Sequence, residues 1–305
     1  MSDNYNKVSE IAAKHLGQAG GAGYSDQYDT ELLVRIPRSL NREAYGIQDD
    51  NLPFFGYDVW NAYEVSALTS KGLPVSGMLK IVCPADTTYH VESKSIKLYL
   101  NSFNMTVMGD NTQEVIRKIE ETVSNDLSIL LEAHVTAHFF NDRVHKESFK
   151  FYVDLKNLVD LDSIDFTSYK SDSSLLKVIS SDEEFYRNIK QVKFTTDLLR
   201  SNCRVTNQPD WGDLFIHYSG DKAIDFKSVA QYVVSHRKVN HFHEEIVEMV
   251  FTHFMEVYEP EELMVAALYT RRGGIDINPI RSTHKYLIPG WYTADNIRID
   301  KTLRQ

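Results

Sequence analysis

QEVIRKIEETVSNDLSILLE, residues 113–132, sets Val115, Ile119, Val123, Leu127 and Leu131 four positions apart. That spacing lays one apolar stripe along a helix. Asn111 and Glu114 stand at capping-box spacing at its start. Immediately after it, Val135, Ala137 and Phe139 alternate with His134, Thr136 and His138, the period of a half-buried strand. Working outward, 59–69 and 77–83 read as strands, 95–103 as a helix, and Phe149, Phe151 and Val153 alternate with Lys150 and Tyr152 as a further strand. The second half repeats the order. Strands are expected at 192–200 and 213–219, helices at 226–237 and 242–258, and strands at 263–270 and 275–279. The helix at 242–258 carries Ile246, Val250, Phe254 and Val257 on one face and stops before Pro260. Two ββααββ units without βαβ alternation predict an α+β fold, with antiparallel sheets and helices on one face. The polar stretch 162–176 joins them, so the expected division is an arm plus first unit over 1–165 and a second unit over 166–305.

Composition bounds the rest. The chain has 305 residues, 42% hydrophobic and 25% charged, enough for a real core. A formal charge of −10 has the wrong sign for gripping a phosphate backbone, so no direct nucleic-acid partner is expected. No run approaches the roughly 18 apolar residues of a membrane span. Met1–Glu10 lacks the apolar core of a signal peptide. Only Cys83 and Cys203 occur, which fits a reducing cytoplasm and neither a disulfide framework nor a structural zinc site. The first fifty residues read as an arm. Its glycine-rich stretch 17–23 lacks the strand and helix that a dinucleotide fingerprint needs, and reads as a connector.

Four segments carry chemistry-bearing residues. They are Val91-Glu92-Ser93-Lys94-Ser95 entering a helix, and Ser201-Asn202-Cys203 running on to Gln208-Pro209-Asp210-Trp211-Gly212. The others are Phe242-His243-Glu244-Glu245 opening a helix, and Arg271-Arg272-Gly273-Gly274 leaving a strand. Each alone has an ordinary reading. A lone cysteine is usually a core residue, Asp210 a turn residue, and His243 and Glu244 first-turn helix residues. Lys94 and Lys97, one turn apart, read as solvated charges, and the Arg-Arg-Gly-Gly run as a hairpin turn.

Together and in this order, the segments resemble the long-form 7-cyano-7-deazaguanine reductases, nitrile reductases of queuosine biosynthesis. Further matches are Ile36-Pro37-Arg38-Ser39-Leu40-Asn41-Arg42 and Asp50-Asn51-Leu52-Pro53-Phe54. The resemblance runs from about Tyr28 to Arg281. It implies two tandem tunnelling-fold (T-fold) ββααββ repeats, in agreement with the element order read from periodicity, and a homodimer. Departures fall in the glycine-bearing arm and in 154–190.

The resemblance also implies a reaction and its residues. The nitrile of a small substrate, 7-cyano-7-deazaguanine, is reduced to the amine with two NADPH, Cys203 being the nucleophile that forms a covalent thioimide. A thiolate suits a weakly electrophilic nitrile carbon, and Arg200 and Arg204 lie near enough in sequence to favour it. Asp210 corresponds to the proton donor, a role that partial burial raising its pKa would suit, and His243 is a proton-relay candidate. For the substrate, Glu92 and Glu244 would accept hydrogen bonds, Val91 and Ser93 would flank the base, and Phe242 would cover a ring face. For NADPH, Ser93, Lys94, Arg272 and Gly273 are implied, with no metal. Rival readings are an amidinotransferase on the same nitrile, a zinc cyclohydrolase of the same fold and a non-catalytic purine binder. The phosphate-directed Lys94 and Arg272, the absence of a Cys/His metal set, and the pairing of Cys203 with Asp210 weigh against each in turn.

Overall fold

In the computed structural model, residues 25–142, 144–179, 190–203 and 207–305 are described; the glycine stretch 17–23 and Arg204 lie outside them. The chain enters through β1 (Arg35–Pro37) and a helical turn, α1 (Ser39–Arg42). A long antiparallel hairpin follows, β2 (Phe55–Thr69) with β3 (Pro74–Pro84), and then β4 (Tyr89–Val91), which pairs back onto β1. Helix α2 (Ser93–Asn101), β5 (Val107–Gly109), helix α3 (Thr112–Leu131) and β6 (Thr136–Phe140) complete this half.

Helix α3 forms where its stripe predicts. Asn111 accepts a hydrogen bond from the Glu114 N–H at 3.0 Å, and Glu132 closes the helix in the left-handed region. Val115, Ile119, Val123, Leu127 and Leu131 are all buried against the β2–β3 face, each worth about 2 kcal/mol relative to exposure.

After β7 (His145–Glu147) and β8 (Val153–Asp154), the second half supplies β9 (Gln191–Thr196), β10 (Arg200–Cys203) and β11 (Pro209–Ser219). Helix α4 (Phe226–Ser235), the short β12 (Asn240–His241), helix α5 (His243–Tyr258), β13 (Glu262–Tyr269) and β14 (Ile275–Ser282) follow. A C-terminal segment carries α6 (Gly290–Thr293) and β15 (Ile297–Ile299). One sheet runs β12-β10-β11-β13-β14-β2-β3-β6. The halves meet where β14 pairs antiparallel with β2 in unbroken register from Ile275↔Ala62 to Ser282↔Phe55.

Strand β13 is buried on both faces, which explains its continuous apolar run. Leu263, Val265, Ala267 and Tyr269 join the core under α4 and α5. Met264, Ala266 and Leu268 face the opposite side, which the C-terminal segment covers through Tyr292 and Ile299.

Two sequence expectations fail here. Residues 149–152 do not form a strand, and only Val153 enters β8: Phe149 and Tyr152, three apart, both pack on Phe215, with ring centroids at 4.6 and 5.6 Å. Phe151, meant for the core, is 92% exposed at φ 64°. Packing onto an aromatic cluster has overridden the alternation. The strand expected at 192–200 divides, because β11 pairs with β9 along Leu214–Ser219 and with β10 from Pro209 to Trp211.

The arm is also more than an arm from residue 25 onward. Arg38 and Arg281 hold the two oxygens of Asp58 at 2.6 and 2.9 Å, and Arg42 and Arg281 meet Glu248 at 2.8 Å. All five side chains are buried, which ties the N-terminal segment to β2, α5 and β14 through paired charges.

Candidate active site

Strand β10 ends at Cys203, and its pairing with β11 sets Ser201 opposite Asp210. The loop between them is held shut by Cys203 N–H to the Gln208 carbonyl at 2.8 Å and Asn207 N–H to the Cys203 carbonyl at 3.0 Å. On its other edge β10 runs parallel to β12, with Cys203 opposite His241. The chain then turns directly into α5, so Phe242, His243 and Glu244 arrive beside the thiol. The Glu245 carboxylate accepts from the Phe242 N–H at 3.2 Å and fixes this helix start.

Cys203, Asp210, His243, Glu244, Phe242 and Arg272 line one cleft of about 490 Å³, whose other wall includes Val91, Ser93 and Lys97 from the first half. His243 stacks on Tyr269, centroids 3.8 Å apart and rings 5° from parallel, with Nε2 3.4 Å from Asp210 Oδ2. Its other nitrogen, Nδ1, is buried without a protein partner. Asp210 also pairs with Arg272, which donates further to the Gln208 side chain at 2.8 Å.

This arrangement corrects the expectation for Asp210. Burial does push its carboxyl up, but His243 and Arg272 more than offset that, and the net shift is below the usual carboxylate range. Glu244 shows the opposite balance. Burial, reinforced by the negative charge of Asp58, pushes it up to about 8.

Not every implied residue faces the cleft. Glu92 caps α2, its oxygens accepting from the Lys94 and Ser95 N–H groups at 3.0 and 2.7 Å. The unpaired N–H groups of a helix start attract such a carboxylate, though its four lone-pair positions leave room for another donor. Lys94 is exposed and lies along a neighbouring groove of about 690 Å³, lined by Glu64, Lys97, Asn101, Gly273 and Gly274. Gly273 and Gly274 stand at φ 56° and 76°, and a Cβ on Gly274 would lie 2.6 Å from the Glu64 carboxyl, so this turn needs glycine. A cationic groove with a bare backbone turn fits a phosphate-bearing dinucleotide. Arg200 donates to the Arg237 carbonyl.

Sequence reading missed Lys97, His90 and Thr270, which also line the cleft. For Lys97 a signal existed: it lies one helical turn (i+4) beyond Ser93 and therefore on the same face. His90 is buried with Nε2 unpartnered and its ring set edge-on to Phe242; nothing in its spacing marks it. Among the described residues no group of three or more His, Cys, Asp or Glu is placed to hold a metal, and no helix is long and apolar enough to cross a membrane.

Residues 24–139 match the family described as nitrile reductase, 7-cyano-7-deazaguanine-reductase N-term, and residues 209–287 match QueF-like protein. These matches define an oxidoreductase of the nitrile-reducing class. A protein of Colwellia psychrerythraea named NADPH-dependent 7-cyano-7-deazaguanine reductase is 38% identical over 284 residues, covering 92% of this chain and 95% of that protein. The chain belongs to the 7-cyano-7-deazaguanine reductase family. The crystal structure of the archaeosine synthase QueF-Like in the apo form aligns at 18% identity over 31% of this chain and 95% of that one; its TM-score of 0.29 is too low to bear on the fold.

Proposed function

We propose that this chain reduces the nitrile of 7-cyano-7-deazaguanine to the primary amine, 7-aminomethyl-7-deazaguanine, with two NADPH, through a thioimide on Cys203, as a step of queuosine biosynthesis. Family membership supports the reaction. The observation that carries the mechanism is the convergence of Cys203, Asp210 and His243, from three separate elements, on one cleft.

The Cys203 sulfur, as thiolate, adds to the nitrile carbon, and the nitrile nitrogen takes a proton. Because Arg272 and His243 hold Asp210 ionised before substrate arrives, that proton is carried by the Asp210–His243 pair rather than by Asp210 alone. Glu244 accepts from the N–H edge of the base, and Glu92 uses its remaining acceptor capacity for the same edge. Val91 and Phe242 cover the ring. NADPH, when bound, would supply the two hydrides needed, one for the thioimide carbon and one for the imine left when Cys203 departs as thiolate. Ser93, Lys94, Arg272 and Gly273 would hold it along the adjoining groove. The buried walls around His243 and Tyr269 keep water from the imine between the two reductions. On this reading the fold is a tandem pair of T-fold repeats, divided near residue 165.

The test is the adduct. Protein mixed with the cyano base without NADPH should gain the mass of the base on Cys203, and Cys203→Ala should not. Asp210→Asn should form adduct and product about 10²–10⁴-fold more slowly. An unmodified wild-type mass at saturating base rules out the thioimide.

A further inference from the structure

The nucleophile's cleft and the cofactor groove share two lining residues, Lys97 and Ile275. Any hydride passing from one to the other crosses that seam. Ile275 supplies an apolar wall; Lys97 supplies a charge. It rises from α2 on the Ser93 face, and its chain lies against the Gly273 turn, with Cδ 3.2 Å from where a Gly273 Cβ would stand.

Two other described cations of this region have partners of their own. Arg272 pairs with Asp210 and Gln208, and Arg200 donates to the Arg237 carbonyl. No carboxylate closes on the Lys97 ammonium as an ion pair among the described residues. Groups around it pull both ways. Burial and Arg272 disfavour its charge, whereas Glu92, Cys203 and Asp210 favour it. Their net effect sets its pKa below the ordinary lysine value.

We propose that Lys97 is the cation that holds Cys203 as a thiolate, a catalytic residue standing between the sulfur and the cofactor groove. This rests on the reading of Cys203 as nucleophile. The thiol proton leaves to water and the lysine keeps its own, so the ammonium acts only by its charge. An opposite charge within about 4–6 Å lowers the pKa of an acidic group by about one to three units. Once sulfur has added to the nitrile its charge is consumed, and the same ammonium is left facing the groove.

Alkylation of the ligand-free enzyme by iodoacetamide, a neutral probe, reads this directly. The rate at Cys203 is followed by mass spectrometry across pH, with neither base nor NADPH present. Asp210, His241, His243, Glu244 and His90 also face this cleft, and all five are retained in every variant compared. Lys97→Met should raise the pH midpoint by about one unit or more and slow alkylation below it at least about tenfold. Lys97→Arg should stay close to wild type, and thermal unfolding confirms that each variant is folded. Lys94→Met, in the groove alone, should leave the midpoint in place. An unmoved midpoint in folded Lys97→Met overturns the proposal, as does an equal shift in Lys94→Met. Neither result touches the adduct test, whose failure would instead remove Cys203 as nucleophile.

Discussion

Glu244 is a carboxyl whose environment favours its proton, facing a base whose edge favours a carboxylate. Burial and Asp58 both oppose its charge and push it up to about 8, so the ligand-free protein keeps it protonated below that pH. A donor pair on the base reverses that preference. Binding below pH 8 should therefore release a proton, and Kd should fall toward a tenfold change per pH unit as pH rises, levelling above 8. Calorimetry in buffers of different ionisation heat, on Cys203→Ala so that no addition follows, measures that proton. Glu244→Gln should abolish the release and weaken binding about tenfold or more. Binding without proton release below pH 8 would contradict the role. The contrast with Asp210 shows what single residues conceal. Both acids are buried; Arg272 and His243 beside Asp210, and Asp58 near Glu244, all from other parts of the chain, set one below the carboxylate range and the other above it.

At the scale of elements, α3 gives the cleanest test of patterning. Leu127→Ala should destabilise the protein by about 2–5 kcal/mol. Ile129→Ala, on the exposed face, should change stability by about 0.5 kcal/mol or less; thermal unfolding compares them. Equal losses would mean that the stripe is not what anchors the helix. Long amphipathic elements like this one were legible because burial follows their period. Helices α2, α4 and α5 and the long strands lie within a few residues of expectation, apart from the added pairing at the ends of β2, β3 and β14. Residues 149–153 were not legible, since their alternation was real but their partners, Phe215 and the C-terminal aromatics, lie far along the chain. The site divided in the same way. Cys203, Asp210, His243 and Glu244 were visible through motif resemblance, whereas Lys97 looked like one more solvated charge because only the fold turns its face inward.

For the whole molecule, the expectation is a homodimer. β6 and β12 stand at the two ends of the sheet order, and no strand among the described residues pairs with β6 on its outer side, where only Ser124 and Glu120 of α3 accept from the Ala137 and Phe139 N–H groups. Proteins generally cover such edges, and a second copy of the chain is the partner the family resemblance implies. Light scattering coupled to gel filtration should give about twice the 35.1 kDa chain mass. A fully active monomer would overturn this expectation and leave the cleft's chemistry untouched.

The seam between β2 and β14 has a consequence for the chain's synthesis. Strand β2 leaves the ribosome early and can close at once on β3, its neighbour in sequence. Its other edge waits for β14, which is made only after nearly everything else. Until then an unpaired strand edge stands open on a half-finished protein, a species prone to sticking to its own kind. The rate at which residues 283–305 follow β14 then matters little; the vulnerable interval is the long translation of everything between the two strands, and a nascent chain halted there presents that edge to its neighbours.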